Sequence, residues 1–334
     1  MIEAGVVLVR LPNWLGDTVM ALPALHGLRA ARPGACVVAV GRWASLLAGQ
    51  GVADALVPYP WAGGNRWRLA ASLRGMRADA AILLPNSFGS ALAARLWGAR
   101  MRLGYDTDLR RALLTHAVPL PSPRVHQVDE YRGLLESAGV GVPETDPAWR
   151  LGEDAAAGAA VSALLEECGI SGGARAVGLH LGAAFGSSKQ WPAAAFGEAA
   201  SRLRERGLRP ILLGSPADAE MAGAVSTCAG WAIPSLVARD QLELLPRLLA
   251  RLACLVSSDT GVAHLAAAVG TPTVTLFGPT DPRLTAPRSR AARRVDGRAP
   301  CAPCFLPRCP IEHVCMRDIT AASVVEAVEE ALTA

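Results

Sequence analysis

The turn Asp259-Thr260-Gly261 has residue types and neighbours that could bind a phosphate group. The apolar run Leu252–Val256 before it predicts a buried strand, and Val262–Val269 after it has the apolar spacing of a helix. A helix that begins in such a turn has free backbone N–H groups at its start, and these favour an anion, to which His264 could add a side-chain bond. An ordinary strand-turn-helix unit with a capped helix has the same pattern, so the turn alone leaves both interpretations open.

Lys189 is the second residue whose type suggests chemistry. The chain has 33 lysine and arginine residues, and Lys189 is the one lysine among them. It follows the apolar segment Ala176–Leu181 in a loop rich in glycine and serine. An ammonium group is a compact point charge that a planar guanidinium cannot replace at a tight site, which predicts a functional role. The alternative is a compositional drift from lysine to arginine that left one lysine by chance.

Asp17 is the third candidate. It lies between a predicted strand, Gly5–Leu11, and a predicted helix that runs from about Thr18 to Ala31. A carboxylate in this position would stand at the carboxyl edge of a parallel sheet, where open α/β domains bind their ligands. An N-cap or first-turn acid that complements the helix dipole would occupy the same position, so this interpretation also stays open.

Four cysteines near the C-terminus lie close together in the sequence. The pattern is Cys301-x2-Cys304-x4-Cys309-x5-Cys315, and four thiolates could hold zinc. The spacing differs from that of a standard zinc knuckle. A reduced cluster, a zinc site and a disulfide all remain open.

Alternating strands and helices must position these residues. Apolar runs predict strands at 5–11, 35–40, 55–57, 80–84, 101–103, 176–181, 210–214, 252–256 and 273–277, with helical segments between them. Such alternation is typical of parallel sheets that are covered by helices on both faces. The proline-bracketed stretch 143–147 predicts a linker, so we expect two doubly wound domains, residues 1–145 and 146–318.

Composition and charge exclude several classes of protein. The chain has 334 residues, of which 51% are hydrophobic, enough for two cores. We see neither a signal peptide nor an apolar stretch of about 20 residues, and we therefore expect a cytoplasmic protein. The formal charge of +4 fits an acidic substrate or an anionic membrane surface. No nucleic-acid-binding motif is visible, so we expect no nucleic-acid partner.

Several segments together resemble the ADP-heptose:lipopolysaccharide heptosyltransferases, with the greatest likeness to the second heptosyltransferase. They are LPNWLGD before a Leu-Pro-Ala-Leu helix, the loop GSSKQWP, the segment SSDTGVAHLAAAVGTPTVTLFGPTDP and the late cysteine segment. They occur in the family's order over nearly the whole chain. The resemblance implies the GT-B glycosyltransferase fold, in which two Rossmann-like domains face a central cleft. The first domain would bind the acceptor, the second the sugar nucleotide, and the C-terminal helix within 319–334 could pack back on the first domain.

The resemblance also implies an activity. It is an inverting transfer of heptose from ADP-heptose to the inner core of lipopolysaccharide, with no cofactor and no metal ion needed for the chemistry. The enzyme would work at the cytoplasmic face of the inner membrane, in transient contact with the membrane surface.

The family's functional residues can be carried over to this sequence where its motifs match. Asp17 matches the general base that takes the proton from the acceptor hydroxyl, and Lys189 matches the lysine that neutralises the departing diphosphate. The donor-binding residues implied are Ser187, Ser188, Lys189, Asp218, Asp259, Thr260, Gly261, Val262 and His264. The chain departs from the family at Asp218, where some relatives have a glutamate, and at Ala183-Ala184-Phe185, where some have a hydroxyl pair.

Two other functions stay open. One is a related enzyme, either the first heptosyltransferase or a transferase that uses another sugar nucleotide. The other is a non-catalytic module that binds a sugar nucleotide on the same fold, although Asp17 and Lys189 together argue against it. The pattern does not identify the exact acceptor, the preferred donor base or the oligomeric state.

Overall fold

The computed structural model describes residues 5–60, 65–171, 174–239 and 241–334 and divides the chain into two units, Met1–Pro147 and Ala148–Ala334. The division falls at the end of the proline-bracketed stretch in which we predicted the linker. Each unit is described separately below.

The first unit is built on a parallel sheet. Its strands are β1 (Val6–Arg10), β2 (Cys36–Gly41), β3 (Ala55–Pro58), β4 (Ala80–Leu83), β5 (Met101–Tyr105) and β6 (His116–Val118). In the described part of this unit the strands are ordered β3-β2-β1-β4-β5-β6, and all neighbours are parallel. The central strand β4 is a continuous apolar run, β1 is apolar up to its last residue, Arg10, and both are almost wholly buried, as expected when helices cover both faces of a sheet.

Helices and short 3₁₀ turns connect these strands. The helices are α1 (Leu15–Met20), α2 (Leu22–Ala31), α3 (Arg66–Gly75), α4 (Phe88–Leu96) and α5 (Gln127–Glu136), and 3₁₀ turns span Ala44–Leu47 and Arg111–Leu113. We predicted one helix from Thr18 to Ala31, but the structure has two, which meet at Ala21. Pro23 explains the break, because it has no N–H to continue the hydrogen bonding of α1 and is accepted in the first turn of α2.

The second unit repeats the plan. Its strands are β7 (Ala176–His180), β8 (Arg209–Leu213), β9 (Cys254–Ser258), β10 (Thr273–Phe277) and β11 (Ala292–Asp296). Over its described residues the order is β11-β10-β9-β7-β8, again with all neighbours parallel. The helices are α6 (Ala155–Glu167), α7 (Ala193–Glu205), α8 (Ala219–Ala229), α9 (Leu245–Ala250), α10 (Gly261–Ala268), α11 (Pro282–Thr285), α12 (Val314–Asp318) and α13 (Ala321–Leu332). Further 3₁₀ turns span Ser187–Lys189 and Pro216–Asp218.

The C-terminal helix α13 packs on the second sheet, and its expected packing on the first domain stays a prediction. It belongs to the second unit, and its apolar face is buried in the core that covers the second sheet. Val324 and Val328 are fully buried in this core, which also contains Leu179 of β7. The indole N–H of Trp191 also donates to the carbonyl of Ile319 at 3.0 Å, just before the helix. Burial of this apolar stripe stabilises the helix where it lies.

Candidate active site

The predicted donor residues lie where the connections of the second sheet change direction. Strands β7 and β9 are neighbours, but the chain continues from β7 to β8 on one side and from β9 to β10 and β11 on the other. Open α/β sheets bind ligands in the crevice at such a switch point, outside the carboxyl ends of the strands. The loop after β7 carries Lys189, and the turn after β9 carries Asp259.

A buried ion pair joins these two loops. The ammonium of Lys189 donates to Oδ2 of Asp259 at 2.6 Å and to the main-chain carbonyl of Asp259 at 2.8 Å. Thr280, which follows β10, donates its hydroxyl to the same Oδ2 at 2.8 Å. Lys189 and Asp259 are only 7% and 8% exposed. The carboxylate of Asp259 therefore connects the loops that follow three neighbouring strands, β7, β9 and β10.

Lys189 is held from several sides. Its main-chain carbonyl accepts the hydroxyl of Ser258 at 2.6 Å, which joins the lysine loop to the end of β9. Its ammonium lies 4.9 Å from the centre of the Phe185 ring, within the range of a cation–π contact. Because two of its three N–H groups already donate to Asp259, the ammonium is paired within the protein. Neutralisation of a diphosphate by Lys189 stays a prediction.

The start of α10 offers backbone donors beside this pair. Gly261 and Val262 form its first turn and are half-buried, and the first N–H groups of a helix have no partner inside it. Thr260 is the N-cap, but its hydroxyl bonds to Ser257 at 2.9 Å and does not cap the helix. The imidazole Nε2 of His264 lies 3.9 Å from Oδ1 of Asp259. This turn can accept an anion through its main chain.

The serines before the lysine differ in exposure. Ser187 is exposed, whereas Ser188 is buried, and its hydroxyl has no hydrogen-bond partner within the described part of the chain. Ser188 donates its backbone N–H to the carbonyl of Pro307 at 3.2 Å. The same carbonyl oxygen lies 2.1 Å from the position that a Cβ on Gly186 would occupy, and Gly186 has a φ of 151°. Glycine is required there for both reasons.

Asp218 has a local structural role. Its Oδ2 accepts the backbone N–H of Ser215 at 2.8 Å and the hydroxyl of Ser215 at 2.7 Å, which completes a capping box before α8. The same oxygen lies 3.3 Å from the position of a Cβ on Gly182, at the beginning of the lysine loop. Asp218 therefore stands at the margin of the site, and its contact with a nucleotide stays a prediction.

His180 ends β7 under this loop and was not among the predicted site residues. It is 8% exposed, and its Nδ1 lies 3.3 Å from the hydroxyl of Ser257. Burial lowers the pKa of His180 to about 4, although the charge of Asp218 opposes the shift. The ring is therefore neutral at pH 7.

This histidine predicts a loss of stability in acid. The unfolded chain binds the proton near pH 6.5 and the folded chain only near pH 4, so the stabilisation is complete above pH 6.5 and is lost as the pH falls to 4. The loss should be about 3 kcal/mol. The free energy of unfolding, measured by urea denaturation from pH 4 to 7, should change less steeply in His180→Gln. Equal slopes for both proteins would contradict the prediction.

Asp17 lies in the first unit, at the corresponding point of the first sheet. It is half-buried in the first turn of α1, which follows β1 at the place where β1 and β4 are neighbours and the connections change direction. Its charge helps to raise the pKa of the Tyr131 phenol, although burial of that phenol is the larger cause. Asp17 thus stands at the carboxyl edge of a parallel sheet, and its role as general base stays a prediction.

The four late cysteines are free thiols. Cys315 is buried and Cys301 is exposed, while Cys304 and Cys309 are half-buried. Among the residues that the structure describes, no group of three or more histidine, cysteine, aspartate or glutamate side chains is arranged to hold a metal ion. A reduced cluster, a zinc site and a disulfide therefore all stay predictions, and the segment contributes the Pro307 contact to the lysine loop.

Sequence reasoning missed three residues of this site, Thr280, His180 and Ser257. Thr280 had a usable signal, because it follows β10, a predicted strand, within the segment Gly278-Pro279-Thr280. The carboxyl ends of parallel strands meet at the same edge, so a hydroxyl there was a candidate. Ser257 had the same kind of signal, because it directly follows the predicted strand Leu252–Val256, whereas His180 lies inside the predicted strand 176–181 and carries no comparable signal.

Comparison with known proteins identifies the class. The family profile of glycosyltransferase family 9 (heptosyltransferase) matches residues 66–315. Lipopolysaccharide heptosyltransferase 2 of Salmonella typhimurium is 32% identical over 86% of each chain. Lipopolysaccharide heptosyltransferase 2 of Escherichia coli is 30% identical over 86% of each chain. The chain is therefore a glycosyltransferase. It belongs to glycosyltransferase family 9, the heptosyltransferase family.

Solved structures agree with this assignment. The structure of E. coli ADP-heptose lipopolysaccharide heptosyltransferase II is 28% identical, with a TM-score of 0.80 over 98% of each chain. A family 9 glycosyltransferase from Veillonella parvula is 22% identical, with a TM-score of 0.84 over 99% of this chain and 98% of that chain, and supports the fold alone. The predicted α/β fold of the GT-B class is confirmed. Within the described residues, no helix has the length and apolar character needed to cross a membrane.

Proposed function

We propose that this enzyme transfers heptose from ADP-heptose to the inner core of lipopolysaccharide, as the names of its heptosyltransferase 2 relatives suggest. One observation supports the donor site most strongly. The buried pair of Lys189 and Asp259 fixes the lysine loop beside the open start of α10, at the switch point of the second sheet. This arrangement suits a diphosphate, because backbone donors and a positive charge lie close together.

Four groups would bind the diphosphate. The N–H groups of Gly261 and Val262 face the place where an anion binds at a helix start. The unpartnered hydroxyl of Ser188 would donate to a phosphate oxygen, which would satisfy a buried polar group. The ammonium of Lys189 would stay close to Asp259 and would also interact with the oxygens of the leaving diphosphate. Asp259 would then act mainly by holding the lysine at the site.

The proposed reaction is a direct displacement with inversion. The acceptor oxygen forms a bond to C1 of the heptose, while the bond between C1 and the diphosphate oxygen breaks and ADP leaves with the electron pair. Asp17 takes the proton from the acceptor hydroxyl as general base. We propose that no metal ion takes part, so turnover should be unchanged in excess EDTA.

A donor screen tests the proposal. ADP-heptose and UDP-sugars are each incubated with an inner-core acceptor, and release of ADP or UDP is measured. We expect ADP release from ADP-heptose that depends on the acceptor. UDP release, or binding of ADP-heptose without ADP release in the presence of acceptor, would contradict the proposal. NMR of the product would establish whether the anomeric centre is inverted.

The place of the reaction follows from the acceptor. We propose that the enzyme works at the cytoplasmic face of the inner membrane, where it would meet a lipid-linked acceptor through transient contact. Fractionation of cells should place it partly with membranes, from which high salt should release it.

A further inference from the structure

The outer face of α4 carries an apolar stripe that none of the functions described so far uses. Phe88, Leu92 and Leu96 lie at four-residue spacing, so they share one side of the helix. Their exposed fractions are 44%, 40% and 36%. The other side of the helix is buried, with Ala91 and Ala94 in the core that covers the first sheet. A surface helix ordinarily turns polar residues to water, whereas α4 presents large apolar side chains there.

Leu109 extends this stripe at the start of the helix. Its side chain is 94% exposed. The preceding residue, Asp108, accepts the backbone N–H of Phe88 at 2.5 Å, which joins the two segments. Asp108 and Leu109 have φ values of 50° and 55°, a left-handed conformation that residues other than glycine rarely adopt. Such strained backbone is found mainly at functional sites, and here it accompanies an apolar side chain that lies in solvent.

Basic side chains surround the stripe. Residues 66–111 contain nine arginines and three acids, a net charge of +6, whereas the whole chain has +4. Arg95 lies on α4 itself, and Arg74 lies beside the end of the helix, with its Cγ 3.2 Å from the position of a Cβ on Gly98. Both arginines are exposed, and within the part of the chain that the structure describes neither forms an ion pair. Burial lowers the pKa of Arg102, and the nearby charge of Arg95 adds to the shift, so cations are crowded at this end of the helix.

The three acids of this region are already engaged. Asp79 pairs with Arg100 at 3.5 Å, and Asp106 pairs with Arg111 at 2.6 Å. Asp108 holds the start of α4. The side chains of Arg100 and Arg111 are nevertheless 80% and 74% exposed, so they also face solvent. The result is an apolar stripe with a positively charged border.

This combination favours one kind of partner. An exposed apolar patch with a polar border marks a surface that binds a protein or a membrane. A second copy of the chain would bring its own arginines against these arginines, and the like charges would repel. A bilayer with anionic lipids provides phosphate groups for the arginines and, just below them, acyl chains for the apolar side chains.

We propose that the outer face of α4, together with Leu109, docks on the surface of a bilayer that contains anionic phospholipid. The apolar stripe would enter the headgroup layer, and Arg74 and Arg95 would contact lipid phosphates. The proposal assigns the membrane contact of the proposed function to a defined surface. The importance of docking for transfer rests on that function, whereas lipid binding itself does not.

Sedimentation with vesicles tests the binding directly. The protein is mixed, without donor or acceptor, with vesicles of phosphatidylcholine alone or of an equal mixture with phosphatidylglycerol. We expect binding to the mixed vesicles only, and weaker binding in high salt. Arg95→Gln should weaken this binding about fivefold, because one charge near the surface is lost. Leu109→Ser should weaken it about tenfold, because an apolar group no longer enters the headgroup layer.

Two substitutions in the second unit are matched controls. Arg209→Gln and Leu151→Ser each change an exposed residue of the same type, and should alter vesicle affinity by less than about twofold. Thermal unfolding should be unchanged in Arg95→Gln and Leu109→Ser, since both side chains are exposed. Equal binding of wild type, Arg95→Gln and Leu109→Ser, or equal binding to neutral vesicles, would overturn the proposal. Wild-type dimers that Leu109→Ser dissociates would also overturn it, because the face would then join two copies.

Kinetics separate docking from transfer. With an inner-core acceptor embedded in mixed vesicles, Leu109→Ser should lower kcat/KM about tenfold, in proportion to its lost binding. With a deacylated, water-soluble acceptor, its kcat/KM should equal that of the wild type. Equal losses with both acceptors would contradict a role in membrane docking. A protein that binds mixed vesicles through this face but transfers nothing would refute the proposed function alone.

Discussion

Lys189→Met should abolish transfer and lower the free energy of unfolding of the second unit by about 3–5 kcal/mol, the usual cost of removing one partner of a buried pair. The ammonium is 2.6 Å from Asp259, and both side chains are over nine-tenths buried. Without it, the carboxylate keeps the Thr280 hydroxyl but loses its countercharge. Urea denaturation measures the stability, and ADP titration measures the donor site.

An exposed ion pair of the same unit provides the control. Arg239 pairs with Glu167, and their side chains are 47% and 53% exposed. Arg239→Met should therefore leave the free energy of unfolding nearly unchanged. The double variant Lys189→Met/Asp259→Asn should be less destabilised than Lys189→Met alone, since it buries no unpaired charge. If Lys189→Met costs no more than Arg239→Met, the ion pair does not hold the two loops together.

Lys189→Arg tests whether the site requires only a positive charge or also the compact shape of the ammonium. The guanidinium keeps the charge but is larger and planar, and the site is closed by Asp259, Ser258 and the Phe185 ring. We expect the transfer rate to fall to a few per cent or less of the wild-type rate. Normal turnover would remove the argument that the one lysine of the chain is required at this position.

Asp17→Asn has the second large expected effect. Loss of a general base should lower kcat by about 10²- to 10⁴-fold, because asparagine cannot accept the proton from the acceptor hydroxyl. ADP binding should be unchanged, since the donor residues belong to the second unit. Rates of ADP release and ADP affinity, measured on the same preparation, test both parts.

Glu220→Gln is a matched control for this substitution. Glu220 is an exposed acid in the first turn of α8, so its neutralisation also removes an acid from a helix start. It should leave turnover unchanged. If Asp17→Asn retains more than about a tenth of wild-type turnover, Asp17 acts as a first-turn acid and another group must take the proton.

Much of the fold could be predicted from the sequence, because buried parallel strands are continuous apolar runs. The strand Thr273–Phe277 was predicted with its observed bounds, and the helix predicted at Val262–Val269 is Gly261–Ala268. Two strands were missed, β6 and β11. Both are edge strands, and β11 has the sequence ARRVD, whose charged residues are tolerated because an edge strand is only half-covered.

The donor site could be predicted only in part. The Asp-Thr-Gly turn and the single lysine each had a signal in the sequence. Their pairing did not, because Lys189 and Asp259 are 70 residues apart and meet only through the order in which β7 and β9 lie in the sheet. The same sheet order brings Thr280 to Asp259. Sheet order is a property of the packed domain, which a local pattern of residues does not determine.

The contact between Gly186 and the carbonyl of Pro307 has a consequence for evolution and engineering. The late cysteine segment occupies the space that a side chain at Gly186 would need. Substitutions in the lysine loop must therefore be compatible with the cysteine segment, and the reverse also holds. If the lysine loop of another transferase is grafted into this chain without that enzyme's equivalent of residues 301–315, the grafted loop should therefore fail to adopt its native conformation.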